Sequence, residues 1–118
     1  MDTGAELTYE QVVIQIILNG GDARGSCLKA IGASRAGNDE EAHQLIEKAK
    51  TALNAAHQSQ TNMIQAETRG EKTEMTLLMV HAQDHLMNAM TVKDLAVEMI
   101  EEIKLRRALE ASIEGRNQ

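Results

Sequence analysis

The sequence has no proline, no tryptophan and no phenylalanine, and Tyr9 is its only aromatic ring of the Phe, Trp or Tyr kind. Without proline, no helix is forcibly interrupted. Without aromatics, and with Ala, Glu, Gln and Leu plentiful, a sheet is disfavoured and long helices are favoured. The core must be aliphatic and rich in methionine, of which there are seven. A single cysteine, Cys27, excludes an intrachain disulfide and reads as a small buried helix residue. Basic residues are in the minority, giving a net charge of −6. That speaks against a nucleic-acid binder, which needs a basic patch to neutralise phosphates. No apolar run approaches the roughly 20 residues of a membrane span, and the opening "MDTGAELTYE" is acidic and polar, unlike a signal peptide. A cytoplasmic protein is expected.

The 118 residues suit one domain with one modest core. Three helical segments are predicted, at about 7–36, 39–67 and 74–112. The first carries Val12, Val13, Ile16, Ile17, Cys27, Leu28 and Ile31. "NGGDARG" lies within it, and each glycine costs about 1 kcal/mol in a helix interior. Two readings stay open: a break at Gly20-Gly21, or a continuous helix whose glycines allow close contact with another chain or ligand. Gly37 is a candidate C-cap, and Asn38 with Glu41 approximates a capping box for the second helix. That helix repeats Ala42, Leu45, Ile46, Ala49, Ala52, Leu53, Ala56, Gln60, Met63 and Ile64 at gaps of one face. "TRGEKT" turns around Gly70, and the third helix begins near Thr73 or Glu74, with its last turns, "EASIEGRNQ", expected to fray. Two short turns make neighbours antiparallel, so the fold class is all-α, an up-down-up three-helix bundle.

"MVHAQDHLMNAM", residues 79–90, sets four polar residues into an apolar helix. Leu78, His81, His85, Asn88, Val92, Leu95 and Met99 follow gaps of 3 and 4, the spacing of a heptad seam, with Asp84 on its flank. Polar groups buried unpaired cost about 1–3 kcal/mol each. One such residue can fix register, but four within two turns exceed that need, and a functional role is expected. So long a seam also suggests self-association. His81, Asp84 and His85 share a face, which suits a metal. "HAQDH" resembles the H-x-x-E-H zinc-hydrolase pattern, but with aspartate, one methylene shorter, for glutamate, and with no third ligand or cleft in evidence. The alternative is covalent: an imidazole with a pKa near about 6.5 is a neutral nucleophile at physiological pH. A non-enzymatic helical oligomer with a polar or metal-bound seam also stands as an alternative.

"LLMVHAQDHLMNAM", residues 77–90, resembles the active-site segment of the lactose/cellobiose (N,N'-diacetylchitobiose) type IIA proteins of the bacterial sugar phosphotransferase system, which reads much like L-x-L-V-H-A-Q-D-H-L-M. "ILNGGDARG", residues 17–25, is similar to their I-x-x-[SA]-G-x-A-R stretch, and "ALNAAHQSQTNMIQAE", residues 52–67, to their L-N-x-A-H-x-x-Q-T-x-x-I stretch. The resemblance spans nearly the whole chain, a single IIA domain over residues 1–118. It implies a phosphocarrier that accepts a phosphoryl group from phospho-HPr and passes it to a cysteine of the cognate IIB, meeting the membrane only through the IIC transporter. His81 matches the phosphorylated histidine, reacting through Nε2. Gln83 and His85 become candidates to orient the imidazole or hold the phosphoryl oxygens. Asp84 matches a metal ligand that, in a homotrimer, meets its two copies around Mg²⁺ or a similar divalent cation. The resemblance also implies a continuous first helix, with Gly20, Gly21 and Gly25 closely packed. Arg24 is an open case between electrostatic partner and solvated residue. His57 is expected to hydrogen-bond between helices, and His43 to be exposed. The ending "EMIEEIKLRRALEASIEGRNQ" departs from the family's E-L-I-E-L-Y-K-like close.

Overall fold

A computed structural model describes residues 7–116; the acidic opening residues 1–6 and the last two, 117 and 118, lie outside the described residues. Among the described residues there are three helices and no strand: α1 (Tyr9–Arg35), α2 (Asp39–Thr68) and α3 (Leu77–Arg116). They form an up-down-up bundle 69 × 29 × 22 Å in extent. The 40 residues of α3, at about 1.5 Å per residue, account for most of the long dimension.

Each helix starts and stops for a local reason. Thr8 caps α1: its side chain accepts from the Gln11 N–H, and the Gln11 side chain accepts from the Thr8 N–H. This is a complete capping box. α1 then runs unbroken through Gly20-Gly21, so the continuous reading holds. It ends in a Schellman motif. Gly37 takes φ +87°, the Asn38 N–H donates to the Ala33 carbonyl at 2.8 Å, and the Gly37 N–H donates to that of Ser34 at 3.0 Å. The same motif closes α2. Gly70 takes φ +92°, Glu71 donates to Ala66 at 2.9 Å, and Gly70 donates to Glu67 at 3.0 Å. Asn38 is the N-cap of α2 but makes no side-chain capping bond, so the capping box expected with Glu41 is not formed. Three acidic residues in the first turn, Asp39, Glu40 and Glu41, favour the helix dipole instead.

α3 starts later than the sequence suggested. Thr76 is the residue that caps it, its hydroxyl accepting from the Met79 N–H at 3.1 Å. Tyr9 holds the preceding loop, donating its phenolic O–H to the Glu74 carbonyl at 2.5 Å. Thr73 and Glu74, expected at the start of the helix, therefore lie in the connection before it, with Glu74 tied to α1. At the other end α3 continues to Arg116, past the frayed end expected near residue 112.

The core is small-residue and aliphatic. Val13, Ile16, Ala23, Cys27 and Ala30 of α1 are fully buried. They meet Ala42, Ile46, Ala49, Leu53 and Ala56 of α2, and Met79, Ala82, Leu86, Ala89, Ala96 and Ile100 of α3. α1 lies centrally against both partners, whereas α2 and α3 touch each other sparingly. The α2 stripe is the predicted one as far as Met63; Ile64 is 57 % exposed.

α3 overturns the seam. Its buried stripe is displaced by one residue from the predicted one, and Leu78, Leu95 and Met99 are 41 %, 62 % and 43 % exposed. His81, Asp84 and Asn88 are exposed too, and His85 is half-buried. The predicted seam is thus a second apolar face turned out of the bundle. The reason is packing distance. Alanine at three of the seven buried α3 positions, Ala82, Ala89 and Ala96, lets α1 approach closely, and large residues of α1 fill the gap. α1 carries an outward stripe of its own, Ile14, Leu18, Gly21, Gly25 and Leu28, in which Ile14, Leu18 and Leu28 are 47 %, 59 % and 52 % exposed.

Candidate functional site

Gly20 is the point from which the site is built. It is buried, and a Cβ placed there would stand 3.4 Å from the His85 carbonyl oxygen and 3.6 Å from the Leu86 nitrogen. The backbones of α1 and α3 therefore run together at the His85 turn. A side chain that reaches beyond Cβ would hold them apart. Gly21 and Gly25 differ: a Cβ at either meets nothing within 4 Å. Within one chain they are not closely packed.

Just outside this contact lies a cavity of about 400 Å³, lined by His81, Asp84, His85, Asn88, Thr91 and Val92 of α3 and by Arg24 of α1. The imidazoles of His81 and His85, one helical turn apart, meet edge to face with centroids 4.5 Å apart and planes at 77°. That contact restricts the rotation of His81 while leaving the residue open to solvent. The arrangement offers an accessible nucleophilic nitrogen, a second imidazole to share or relay a proton, amide and guanidinium donors, and one carboxylate.

The structure brings His81, Asp84 and His85 together but sends Gln83 elsewhere. Its amide is hydrogen-bonded to Gln60 of α2 and lies 3.4 Å from the Met79 sulfur. It lines a separate methionine-rich cleft of about 200 Å³ between α2 and α3, with Met63 and Met75. His85 rather than Gln83 therefore meets the His81 imidazole, and Gln83 ties α2 to the helix that bears the site. His57 is exposed on α2, which corrects the expectation of a histidine hydrogen-bonded between helices; His43 is exposed as expected. Among the described residues, no three His, Cys, Asp or Glu side chains are grouped to hold a metal. The zinc-hydrolase pattern has no third ligand here, and Asp84 alone supplies one carboxylate where a divalent cation takes about six oxygen ligands.

The chain resembles known proteins over most of its length. Residues 11–104 match the family described as "PTS system, Lactose/Cellobiose specific IIA subunit". The chain belongs to that family. Over 92 residues it is 60 % identical to the lichenan-specific phosphotransferase enzyme IIA component of Bacillus subtilis, covering 78 % of this chain and 84 % of that protein. Among solved structures it is similar to the cellobiose-specific enzyme IIA from Bacillus anthracis, with a TM-score of 0.82, 48 % identity, and coverage of 91 % and 98 % of the two chains. It is also similar to the IIA(Chitobiose) of Escherichia coli solved in complex with HPr, with a TM-score of 0.75, 32 % identity, and coverage of 86 % and 99 %. As a PTS IIA component, the protein is a component of a phosphotransferase. No helix of the described residues is long and apolar enough to cross a membrane.

Arg24, open in the sequence between electrostatic partner and solvated residue, and Asn88, for which a register role is the expectation, both line the His81 cavity. A signal was available for Arg24: it follows Gly20 by one helical turn, so it rides the same side of α1 toward the histidines.

Proposed function

We propose that this IIA protein is the phosphocarrier of a disaccharide phosphotransferase system, taking a phosphoryl group from phospho-HPr on His81 and handing it to a cysteine of the cognate IIB. The observation that carries the reading is His81 itself: exposed at the mouth of a polar cavity and braced by His85, in a chain of the IIA family whose Escherichia coli chitobiose relative was solved with HPr. In the transfer, the His81 Nε2 lone pair attacks phosphorus. The N–P bond of the donor phosphohistidine breaks, and the donor imidazole leaves with the electron pair. The second transfer repeats this with the IIB thiolate as nucleophile and His81 as leaving group. Such a reaction needs positioning and charge stabilisation more than new covalent machinery. A cytoplasmic location, with the membrane reached only through a IIC transporter, follows from this role.

We further infer a homotrimer. It is supported by the outward stripes of α1 and α3, which leave Leu18, Leu28, Leu95 and Met99 more than two-fifths exposed. Copies packed on these faces would remove that apolar surface from water. The open space over Gly21 and Gly25 would then admit a neighbouring helix. Asp84 from three copies would repel unless protonated or neutralised. A structural Mg²⁺ or similar cation held by the three carboxylates would supply that neutralisation, while the protein's own groups perform the transfer.

The test is incubation with enzyme I, HPr and phosphoenolpyruvate. Wild type should gain about 80 Da, one acid-labile phosphoryl group, and His81→Ala should gain nothing. Equal labelling of the variant would remove His81 from the reaction. If the protein is instead a non-enzymatic oligomer, neither form takes up label and His81→Ala alters assembly only.

A further inference from the structure

The cavity beside His81 has one fixed cation lining it, Arg24, and one carboxylate, Asp84. Phosphorylation of His81 would add about −1.5 to −2 charges to that space, which the Asp84 carboxyl group also lines. Histidine and asparagine can donate one or two hydrogen bonds to the new oxygens. Neither offers a permanent positive charge.

Arg24 does, and the fold aims it there. The close approach of α1 to α3 occurs at Gly20, 3.4 Å from the His85 carbonyl. Arg24 stands one turn further along the same side of α1. The positions flanking it in the outward stripe are Gly21 and Gly25, where a Cβ would meet nothing within 4 Å, so no side chain there blocks the guanidinium. Of the other arginines, Arg69 pairs with Glu71, Arg106 with Glu110 and Arg107 with Asp39, while Arg35 and Arg116 lie at the C-terminal ends of α1 and α3, outside the lining of the His81 cavity. Arg24 makes no ion pair among the described residues. Its planar fork of N–H donors matches phosphoryl oxygens in a bidentate way that a point charge cannot.

We propose that Arg24 binds the phosphoryl oxygens of phospho-His81 within the same chain, stabilising both the transferring group and the phosphorylated intermediate. The proposal rests on His81 being the acceptor. Arg24 makes and breaks no covalent bond. The N–P bonds formed and lost are those of His81 and its exchange partners, and the guanidinium stays protonated throughout.

The experiment uses the full chain with phospho-HPr and compares wild type, Arg24→Gln and Arg24→Lys. Three quantities are read: kcat/KM for phosphoryl uptake, the ³¹P titration midpoint of the phosphorylated protein, and the sedimentation and melting behaviour of each form. Arg24→Gln should lower kcat/KM by about tenfold or more and move the ³¹P midpoint upward, because the dianion loses a cation. Assembly and melting should be unchanged. Arg24→Lys should restore the ³¹P midpoint and recover part of the rate, charge being kept and the fork lost. Transfer by Arg24→Gln at the wild-type rate overturns the proposal. So does a rate loss with no ³¹P shift, which assigns the arginine to folding or assembly. Wild type that takes no phosphoryl group on His81 instead sinks the phosphocarrier reading, and the proposal with it.

Discussion

Gly20 offers a direct test of the helix contact that builds the site. Replacing it with alanine adds a methyl group 3.4 Å from the His85 carbonyl oxygen and 3.5 Å from its carbon, ordinary van der Waals separations. Nothing must move, and the helix gains about 1 kcal/mol in propensity. Gly20→Ala should therefore raise stability by up to about 1 kcal/mol, roughly 4 °C in Tm for a chain of this size. Valine recovers only a few tenths of a kcal/mol of propensity over glycine. Its two further methyl groups would reach toward backbone atoms of His85 and Leu86, which cannot rotate away. Overpacking of this kind costs about 1–3 kcal/mol, so Gly20→Val should be destabilised by about 1–2 kcal/mol net.

Chemical denaturation followed by far-UV circular dichroism measures both, with Gly32→Ala as the control, since a Cβ there meets nothing within 4 Å. Alanine should stabilise at both positions, and valine should destabilise only at Gly20. The pair also reports on chemistry: by moving α1 off the His85 turn, valine should slow phosphoryl uptake where alanine does not. If Gly20→Val were as stable as wild type, α1 would not lie against His85, and the route by which Arg24 reaches the cavity would be gone.

Ser34 is fully buried and its hydroxyl has no hydrogen-bond partner. Ser34→Ala removes an unpaired polar group and should stabilise by about 1 kcal/mol; a loss of stability in the same denaturation series would mean that the hydroxyl is paired in solution. Burial pushes the Cys27 thiol above its ordinary pKa of 9.0, with Lys93 pulling it partly back. A raised folded pKa means that the unfolded thiol ionises first, so this contribution to stability is whole below about pH 9 and fades as pH rises through the folded value. Cys27 should accordingly react with a disulfide reagent only as fast as the protein opens, and the stability advantage of wild type over Cys27→Ala should shrink as pH rises above the ordinary thiol value of 9.0; rapid native labelling would contradict its burial. Asp84→Leu should give an assembly at least as stable as wild type and indifferent to chelator, because it removes mutual repulsion together with the need for a cation. Sedimentation showing the variant as free single chains would count against the axial placement of Asp84.

Much of the fold was legible because its punctuation is local. Gly37 and Gly70 sit where helices must turn, and both adopt the left-handed conformation that closes a Schellman motif. The α2 stripe was readable because α2 is polar on its far side. Two signals were misjudged. The capping box that forms is T-x-x-Q at Thr8 and Gln11, whereas the one expected at Asn38 and Glu41 does not. The start of α3 was placed too early because the tertiary bond from Tyr9 to Glu74 has no local trace.

The register error in α3 is the instructive one. Two stripes with helical spacing run along that helix, one residue and therefore about 100° apart. The stripe through Leu78, Leu95 and Met99 has the larger side chains, and transfer free energy alone favours burying it. The stripe through Ala82, Ala89 and Ala96 is the one buried. Small residues win inside the bundle because they bring two helix backbones together, and Ile16, Val13 and Leu86 then fill the space from both sides. The larger stripe is left facing out with His81, Asp84 and Asn88 set into it. An apolar helix face of this length, carrying accessible histidines and matched by an outward stripe on α1, has a clear physical use: its aliphatic positions can close against further copies of the chain, while the polar island holds open the cavity where the chemistry would occur. The polar residues are therefore not misplaced core. They interrupt an outward apolar face at the point where the proposed transfer needs access to solvent and partner.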